Sequence, residues 1–326
     1  MKLVIQIPCL NEEASLPTTL AALPRSLAGV DHVEWLIVDD GSTDRTVEVA
    51  RAHGVDHVVH FPSNQGLARA FTAGLEAAVR AGADVIVNTD ADNQYDAADI
   101  PKLIAPILEG RAEIVIGARP IDDIAHFSPW KKVLQKLGSW VVRKASGTSI
   151  PDSPSGFRAI SRNAALQLNV FSKYTYTLET IIQAGQKNIP ITWVPIRTNA
   201  DLRPSRLVKG IVDYVRRSVF TIFRIFLLYR PLRTFFWVGT AFVVPGFLLL
   251  VRWLVFFLQG SERVRAPSLI LAAILIGIGC QSWILGFLAD LMAANRRLLE
   301  EIQVRLRRQD LETNRGTRDD SKGRDA

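Results

Sequence analysis

The sequence predicts an α/β domain built on a doubly wound, mostly parallel sheet, followed by an interfacial helix and two membrane-spanning helices. Three observations carry this expectation: a βαβ rhythm in the first third of the chain, two long apolar stretches near its end, and a charge division between the two parts. Short apolar runs at 3–7, 34–38, 58–61, 85–89 and 114–116 alternate with helical patterns at 14–28, 43–53, 66–81 and 97–109. Runs of this length, separated by helices, read as buried parallel strands. The apolar stretches cover 234–258 and 268–292, each near the ~20 residues that cross a hydrocarbon core. Residues 1–200 carry 19 Lys+Arg against 21 Asp+Glu, and residues 201–326 carry 20 against 11, so the net charge of +7 belongs to the second part.

These boundaries predict an α/β domain (1–205), an amphipathic interfacial segment (206–232), a two-helix transmembrane hairpin (233–294) and a basic tail (295–326). Residues 207–230 set apolar side chains on one helical face, with Lys209, Arg216, Arg217 and Arg224 largely elsewhere, the make-up of a helix lying in the interface. Arg230 and Arg233 precede the first span, and Arg296, Arg297, Arg305, Arg307 and Arg308 follow the second, against Arg263 and Arg265 between them. That bias predicts an inner or plasma membrane protein with both ends in the cytoplasm. The apolar run in MKLVIQIPCLNEE is too short for a signal peptide. Basic residues beside membrane spans point to anionic lipid or phosphate, and no nucleic-acid motif argues otherwise. Cys9 and Cys280 read as buried structural thiols. Residues 314–326 have no apolar face and are expected to be disordered. The long second span, continuing through 295–311, leaves a homo-oligomer open.

In a doubly wound sheet, ligands bind at the carboxyl ends of the strands. The polar residues gather at those ends: Asn11-Glu12-Glu13 after the first run, Asp39-Asp40-Gly41-Ser42 after the second, Asp90-Ala91-Asp92-Asn93-Gln94 after the fourth, and Gly117-Ala118-Arg119 after the fifth. Asp90 and Asp92, two apart behind a buried strand, would repel each other unless a cation intervenes. A hard divalent ion bridging a diphosphate is a common remedy, with Gln94 offering a further oxygen; a solvated acidic loop is the plain alternative. Asp40 can accept hydrogen bonds from a base or ribose, while Gly41-Ser42-Thr43-Asp44 suits a turn and helix cap. Asn11-Glu12 also reads as a helix start.

The set P-x-x-N-E, D-D-G-S-x-D, D-A-D-x-Q, G-x-R and Asp152-Ser153-Pro154-Ser155-Gly156-Phe157-Arg158 resembles the family 2 inverting glycosyltransferases of the GT-A fold. It looks most like the branch of dolichyl-phosphate mannose synthases and bacterial polyprenyl-phosphate glycosyltransferases, over residues 1 to about 210. The resemblance implies a nucleotide pocket of Pro8, Leu10, Asn11, Glu12, Val38, Asp40, Asp90 and Ala91, with Mg2+ or Mn2+ held by Asp92 and Gln94. It also implies an acceptor phosphate met by Arg119, Ser155 and basic residues after the last core strand. Here those are Arg203, Arg206 and Lys209, whose spacing departs from the R-G-x-S-K-x-K form of the mannose synthases. The expected activity is transfer of a sugar, with inversion, from a UDP- or GDP-linked donor to a polyprenyl phosphate beside the bilayer.

A phosphate monoester is largely a dianion at neutral pH, so this acceptor hardly needs a general base. Asp152 and Glu179 are the candidates if one exists, though Asp152 suits orienting the acceptor loop. Transfer to a lipid or glycan hydroxyl is the competing enzyme reading and would need such a base. The Q-x-x-R-W motif of processive synthases is absent. A nucleotide-sugar-binding scaffold without activity is the reading from another class.

Overall fold

The computed structural model describes residues 1–120, 138–140, 142–144, 146, 147–170, 176–199, 231–259 and 266–322. The chain divides into two compact units, Met1–Ser218 with Gln303–Ala326, and Val219–Ile302.

The first unit is built on a seven-stranded sheet. Its elements run β1 (Lys2–Cys9), α1 (Leu16–Ala22), β2 (His32–Asp39), α2 (Thr46–Ala52), β3 (His57–His60), α3 (Leu67–Arg80), β4 (Val85–Asn88), α4 (Ile100–Leu108), β5 (Ile114–Ala118), β6 (Arg158–Ser161), α5 (Arg162–Gln167), α6 (Thr177–Gln186) and β7 (Ile191–Pro195). The sheet order is β3-β2-β1-β4-β6-β5-β7. All pairings are parallel except those of β6, which runs antiparallel between β4 and β5. From β1 the chain winds outward to β2 and β3, then returns to place β4 on the other side of β1. The crevice at that reversal is where such sheets bind ligands.

The strands form because their runs are rich in β-branched residues and buried on both faces; in β1, Leu3, Val4, Ile5 and Ile7 have no exposure. The helix α3 forms on the other periodicity, burying Ala68, Phe71, Leu75, Ala78 and Val79 along one stripe. Phe71 stacks on Tyr176 with ring centroids 3.8 Å apart, joining α3 to the residue just before α6. Polar residues interrupt the apolar interior within β1 and at the end of β4: Gln6 and Asn88 have no exposure.

The second unit contains α7 (Pro231–Leu258), and α8 (Ala266–Lys322) begins in it. Both are long and apolar enough to cross a membrane, as the sequence predicts. Their outer faces are exposed, including Phe247, Leu248, Phe257, Ile284 and Phe287, and lipid would cover such faces. Cys280 lies on an exposed face too, which corrects the expectation of a buried thiol; Cys9 is buried. Between the helices runs a seam of small residues. A methyl group added at Gly279 would come within 2.7 Å of the Gly239 carbonyl oxygen and 2.4 Å of Val243, and one at Gly239 within 2.4 Å of Trp283. The backbones approach as closely as small residues allow, the usual means of helix association where no hydrophobic force acts. Trp283 Nε1 donates to the Phe236 carbonyl across the same seam at 3.1 Å. The first helix continues through Pro245 without ending. The helix α8 extends to Lys322, over part of the segment that lacks an apolar face, because lengthening a formed helix costs far less than starting one. The interfacial segment 207–230 lies outside the described residues.

Gly279→Leu should separate the seam and lower the thermal midpoint of detergent-solubilised protein. Gly277→Leu, where an added Cβ meets nothing within 4 Å, should leave it nearly unchanged. Equal midpoints for the two variants would rule out a close-packed hairpin.

Candidate active site

Three strand-end loops meet at the reversal between β1 and β4. The loop after β1 is fastened to the loop after β2 by backbone donors: Asn11 N–H to Ser42 Oγ at 2.9 Å, Glu12 N–H to Thr46 Oγ1 at 2.9 Å, and Glu13 N–H to Asp44 Oδ2 at 3.1 Å. The side chain of Asn11 returns the contact by accepting from Thr43 N–H at 2.8 Å. Asn11-Glu12 is thus more than a helix start; it is one half of a cross-loop clasp.

Asp40 is almost fully buried. Its Oδ1 accepts from Gln65 N–H at 2.7 Å and its Oδ2 from Gly66 N–H at 2.9 Å. Each oxygen therefore already carries a bond to the loop between β3 and α3. The expectation that Asp40 can accept from a base or ribose does not extend to Gln65-Gly66, the segment that it anchors. A glycine before an amphipathic helix was the available signal. Asp39 is buried and turned the other way, accepting from Ser42 N–H at 3.1 Å and lying 2.6 Å from His60 Nδ1. Pro8 and Val38 are buried within the sheet, and Val38 packs beneath Gly74 of α3. Leu10 is partly exposed and Glu12 nearly buried.

The acidic tip follows β4. Asp92 is half-buried and its Oδ1 accepts from Gln94 N–H at 3.1 Å, which bends the tip into a turn. Ala91 is buried, and its carbonyl accepts from Thr19 Oγ1 at 2.9 Å. Burial and the neighbouring Asp92 carboxylate push Asp90 up to about 7, against the pull of Arg119 and Arg158. This is the repulsion anticipated from D-A-D. Among the described residues no three His, Cys, Asp or Glu side chains gather as a metal site. A divalent ion at this tip would need most of its ligands from elsewhere, which suits Mg2+-like ions that join one or two carboxylates to substrate phosphates and water. The residues fit such an ion, which Asp92 and Gln94 would hold.

The tip is braced by the segment after β7. Asn199 N–H donates to the Gln94 carbonyl at 2.9 Å, Asn199 Nδ2 to the Asn93 carbonyl at 2.9 Å, and Arg197 N–H to buried Asp99 at 2.7 Å. Arg203, Arg206 and Lys209 lie outside the described residues.

Arg119, at the end of β5, forms a fork-like pair with Asp152: Nε to Oδ2 at 2.8 Å, Nη2 to Oδ1 at 3.1 Å, and backbone N–H to Oδ2 at 3.2 Å. The Arg119 side chain is 10% exposed and Asp152 fully buried. Both carboxylate oxygens are therefore committed, so Asp152 is placed to orient Arg119 and poorly placed to take a proton. Ser155 is fully buried as well, and its hydroxyl has no hydrogen-bond partner among the described residues; it does not face an open cleft. Glu179 is nearly buried in the first turn of α6.

Ionised Asp90 costs the protein stability when no cation is bound. Its folded value of about 7 lies above that of an unfolded aspartate, about 3.9. The corresponding stability is complete below about pH 4 and is lost as pH rises through about 7. In EDTA at pH 8, Asp90→Asn should therefore melt above the parent protein, and the difference should vanish toward pH 4. A difference independent of pH would contradict the raised value of Asp90 beside Asp92.

Comparison with known proteins agrees with this architecture. The model of the glycosyl transferase family 2 matches residues 4–168, which is half of the chain. The undecaprenyl-phosphate mannosyltransferase of Micrococcus luteus is 29% identical over 65% of this chain and 90% of its own length. The UDP-N-acetylglucosamine–dolichyl-phosphate N-acetylglucosaminyltransferase of Methanococcus voltae is 30% identical over 59% and 83%. The crystal structure of glucosyl-3-phosphoglycerate synthase from Mycobacterium tuberculosis, with Mn2+, UDP and phosphoglyceric acid, shares the fold at a TM-score of 0.55 and 21% identity, over 69% of this chain and 77% of that one. With its doubly wound sheet, acidic tip and strand-end loops, this chain belongs to glycosyl transferase family 2.

Proposed function

We propose that the protein transfers a sugar from a nucleotide diphosphate to a polyprenyl phosphate, with inversion, at the cytoplasmic face of the membrane. The observation that carries this reading is the juxtaposition of an acidic tip suited to a metal-bridged diphosphate with a guanidinium, Arg119, held rigid by a buried carboxylate. Asp90 and Arg119 lie close enough to influence each other electrostatically. Relatives named for undecaprenyl-phosphate and dolichyl-phosphate acceptors support the acceptor class, and the two apolar helices support a lipid-borne one.

In this reading the loops after β1 and β2 hold the nucleoside, and Asp92 and Gln94 would hold a divalent ion. When bound, that ion neutralises the charge of the departing nucleoside diphosphate. Arg119 meets the acceptor phosphate with the part of its fork that Asp152 leaves open, since guanidinium donors suit phosphate. Arg203, Arg206 and Lys209 are further candidates for the same acceptor phosphate. The attacking phosphate oxygen needs no proton removed, which accords with the commitment of both Asp152 oxygens to Arg119. An alcohol acceptor would require a free base, and this disfavours the glycolipid reading. The sugars named in the relatives, mannose and N-acetylglucosamine, differ, so the donor is left to experiment. The excess of Arg and Lys flanking the spans supports cytoplasmic placement of the first unit.

Purified protein incubated with a panel of UDP- and GDP-sugars, Mn2+ and undecaprenyl phosphate should yield one lipid-phosphate sugar, resolved by mass, with the anomer opposite to that of the donor. Asp92→Ala should reduce the rate by at least 100-fold, on the order of losing a major electrostatic contributor, without altering the thermal midpoint at pH 6. Products on hydroxyl acceptors alone would move the protein to glycolipid synthesis.

A further inference from the structure

Arg158 heads the fully buried side chains when these are ranked by volume. It opens β6 directly after the D-S-P-S-G-F segment. Nη1 donates to Thr180 Oγ1 at 2.6 Å and to the Thr177 carbonyl at 3.3 Å, Nη2 donates to the Ser155 carbonyl, and the guanidinium lies 5.2 Å from the centre of the Tyr176 ring. Its Nε has no hydrogen-bond partner among the described residues, and no described carboxylate forms an ion pair with it. Burial works against its charge, while Tyr176, Tyr95, Asp90 and Asp152 act through space to keep it.

An arginine cannot shed its proton in a protein, and an apolar side chain of similar volume would fill this site at lower cost. Packing alone does not explain it. Its contacts suggest what does. The carbonyl it holds belongs to Ser155, and the next residue, Gly156, is fixed on both sides: its N–H donates to Tyr95 Oη at 3.0 Å, and its carbonyl accepts from Asn88 Nδ2 at 2.8 Å. A methyl group at Gly156 would lie 3.0 Å from Asp90 Oδ2 and 3.0 Å from Tyr176 Oη, so Asp90 closes the space beside this backbone. Four residues earlier in the same loop, Asp152 grips Arg119. One short loop thus touches the donor-side acid at one end and orients the acceptor-side cation at the other.

We propose that Arg158 is a positioning residue for transfer: by tying the Ser155 carbonyl to the start of α6, it keeps Asp90 and the Arg119–Asp152 pair at a fixed separation. This rests on the glycosyl transfer proposed above, though not on the identity of the acceptor. Misplacement of reacting groups by about 1 Å can cost about 100-fold in rate, so the effect should fall on kcat.

The test compares Arg158→Met, Arg158→Lys and Thr180→Val in full-length, detergent-solubilised protein, using the donor and acceptor that the parent protein consumes. Arg158→Met should lower kcat by about 100-fold, with KM for both substrates changed far less. Arg158→Lys keeps the charge but loses the fork, and should restore only part of the rate. Thr180→Val removes one partner of Nη1 while leaving the charge in place, and should lower kcat to a lesser degree; it decides the matter if Arg158→Met does not fold. Unchanged kcat in Thr180→Val and Arg158→Lys would overturn the proposal. So would a loss that matches the unfolded fraction measured by thermal melting, or one confined to KM. Absence of transfer to polyprenyl phosphate by the parent protein, with transfer to another acceptor, would sink the acceptor reading and leave this comparison intact.

Discussion

Two carboxylates placed two residues apart at the end of a buried strand set the terms for this molecule. Asp90 cannot be ionised cheaply in its position, and the surroundings answer that cost in three ways. Arg119 and Arg158 supply fixed positive charge. The turn from Asp92 to Gln94 holds the second acid apart, and the segment after β7 pins that turn from outside. What remains uncompensated is the kind of charge that a divalent ion and a diphosphate would complete together. A glycosyltransferase site of this form is an electrostatic balance before it is a set of contacts.

Much of this was legible in the sequence because parallel strands buried on both faces leave a plain signature. The apolar runs from Leu3 to Ile116 became β1 to β5 with boundaries displaced by only a few residues. The polar strand ends converged on one crevice because winding reverses between β1 and β4. The two long apolar helices were equally plain, since each is written as one long apolar run.

What the sequence hid was long-range pairing. Arg158–Ser161 is a four-residue antiparallel strand inserted between β4 and β5, too short for any periodicity and opened by an arginine. The partnership of Arg119 with Asp152 joins residues 33 positions apart, and no local pattern announces that a cation assigned to substrate is shared with a buried acid. Asp40 illustrates the same limit: nothing local to it announces that backbone amides of residues 65 and 66 donate to its carboxylate. Gln6 and Asn88 did leave a trace, as polar letters inside apolar runs. Such letters are worth asking about, because a buried amide is rarely tolerated without partners.

The attachment of Asn64-Gln65-Gly66 to Asp40 has an evolutionary consequence. This segment follows β3, the outermost strand on its side of the sheet, and edge loops tolerate insertion and exchange far better than the interior does. Two backbone N–H groups donate hydrogen bonds to the aspartate and hold the loop, so the loop's side chains can diversify while the acid beneath them stays the same. A lineage could in this way retune the rim of its crevice by swapping a few surface letters, leaving the charge-handling machinery at the centre of the sheet untouched.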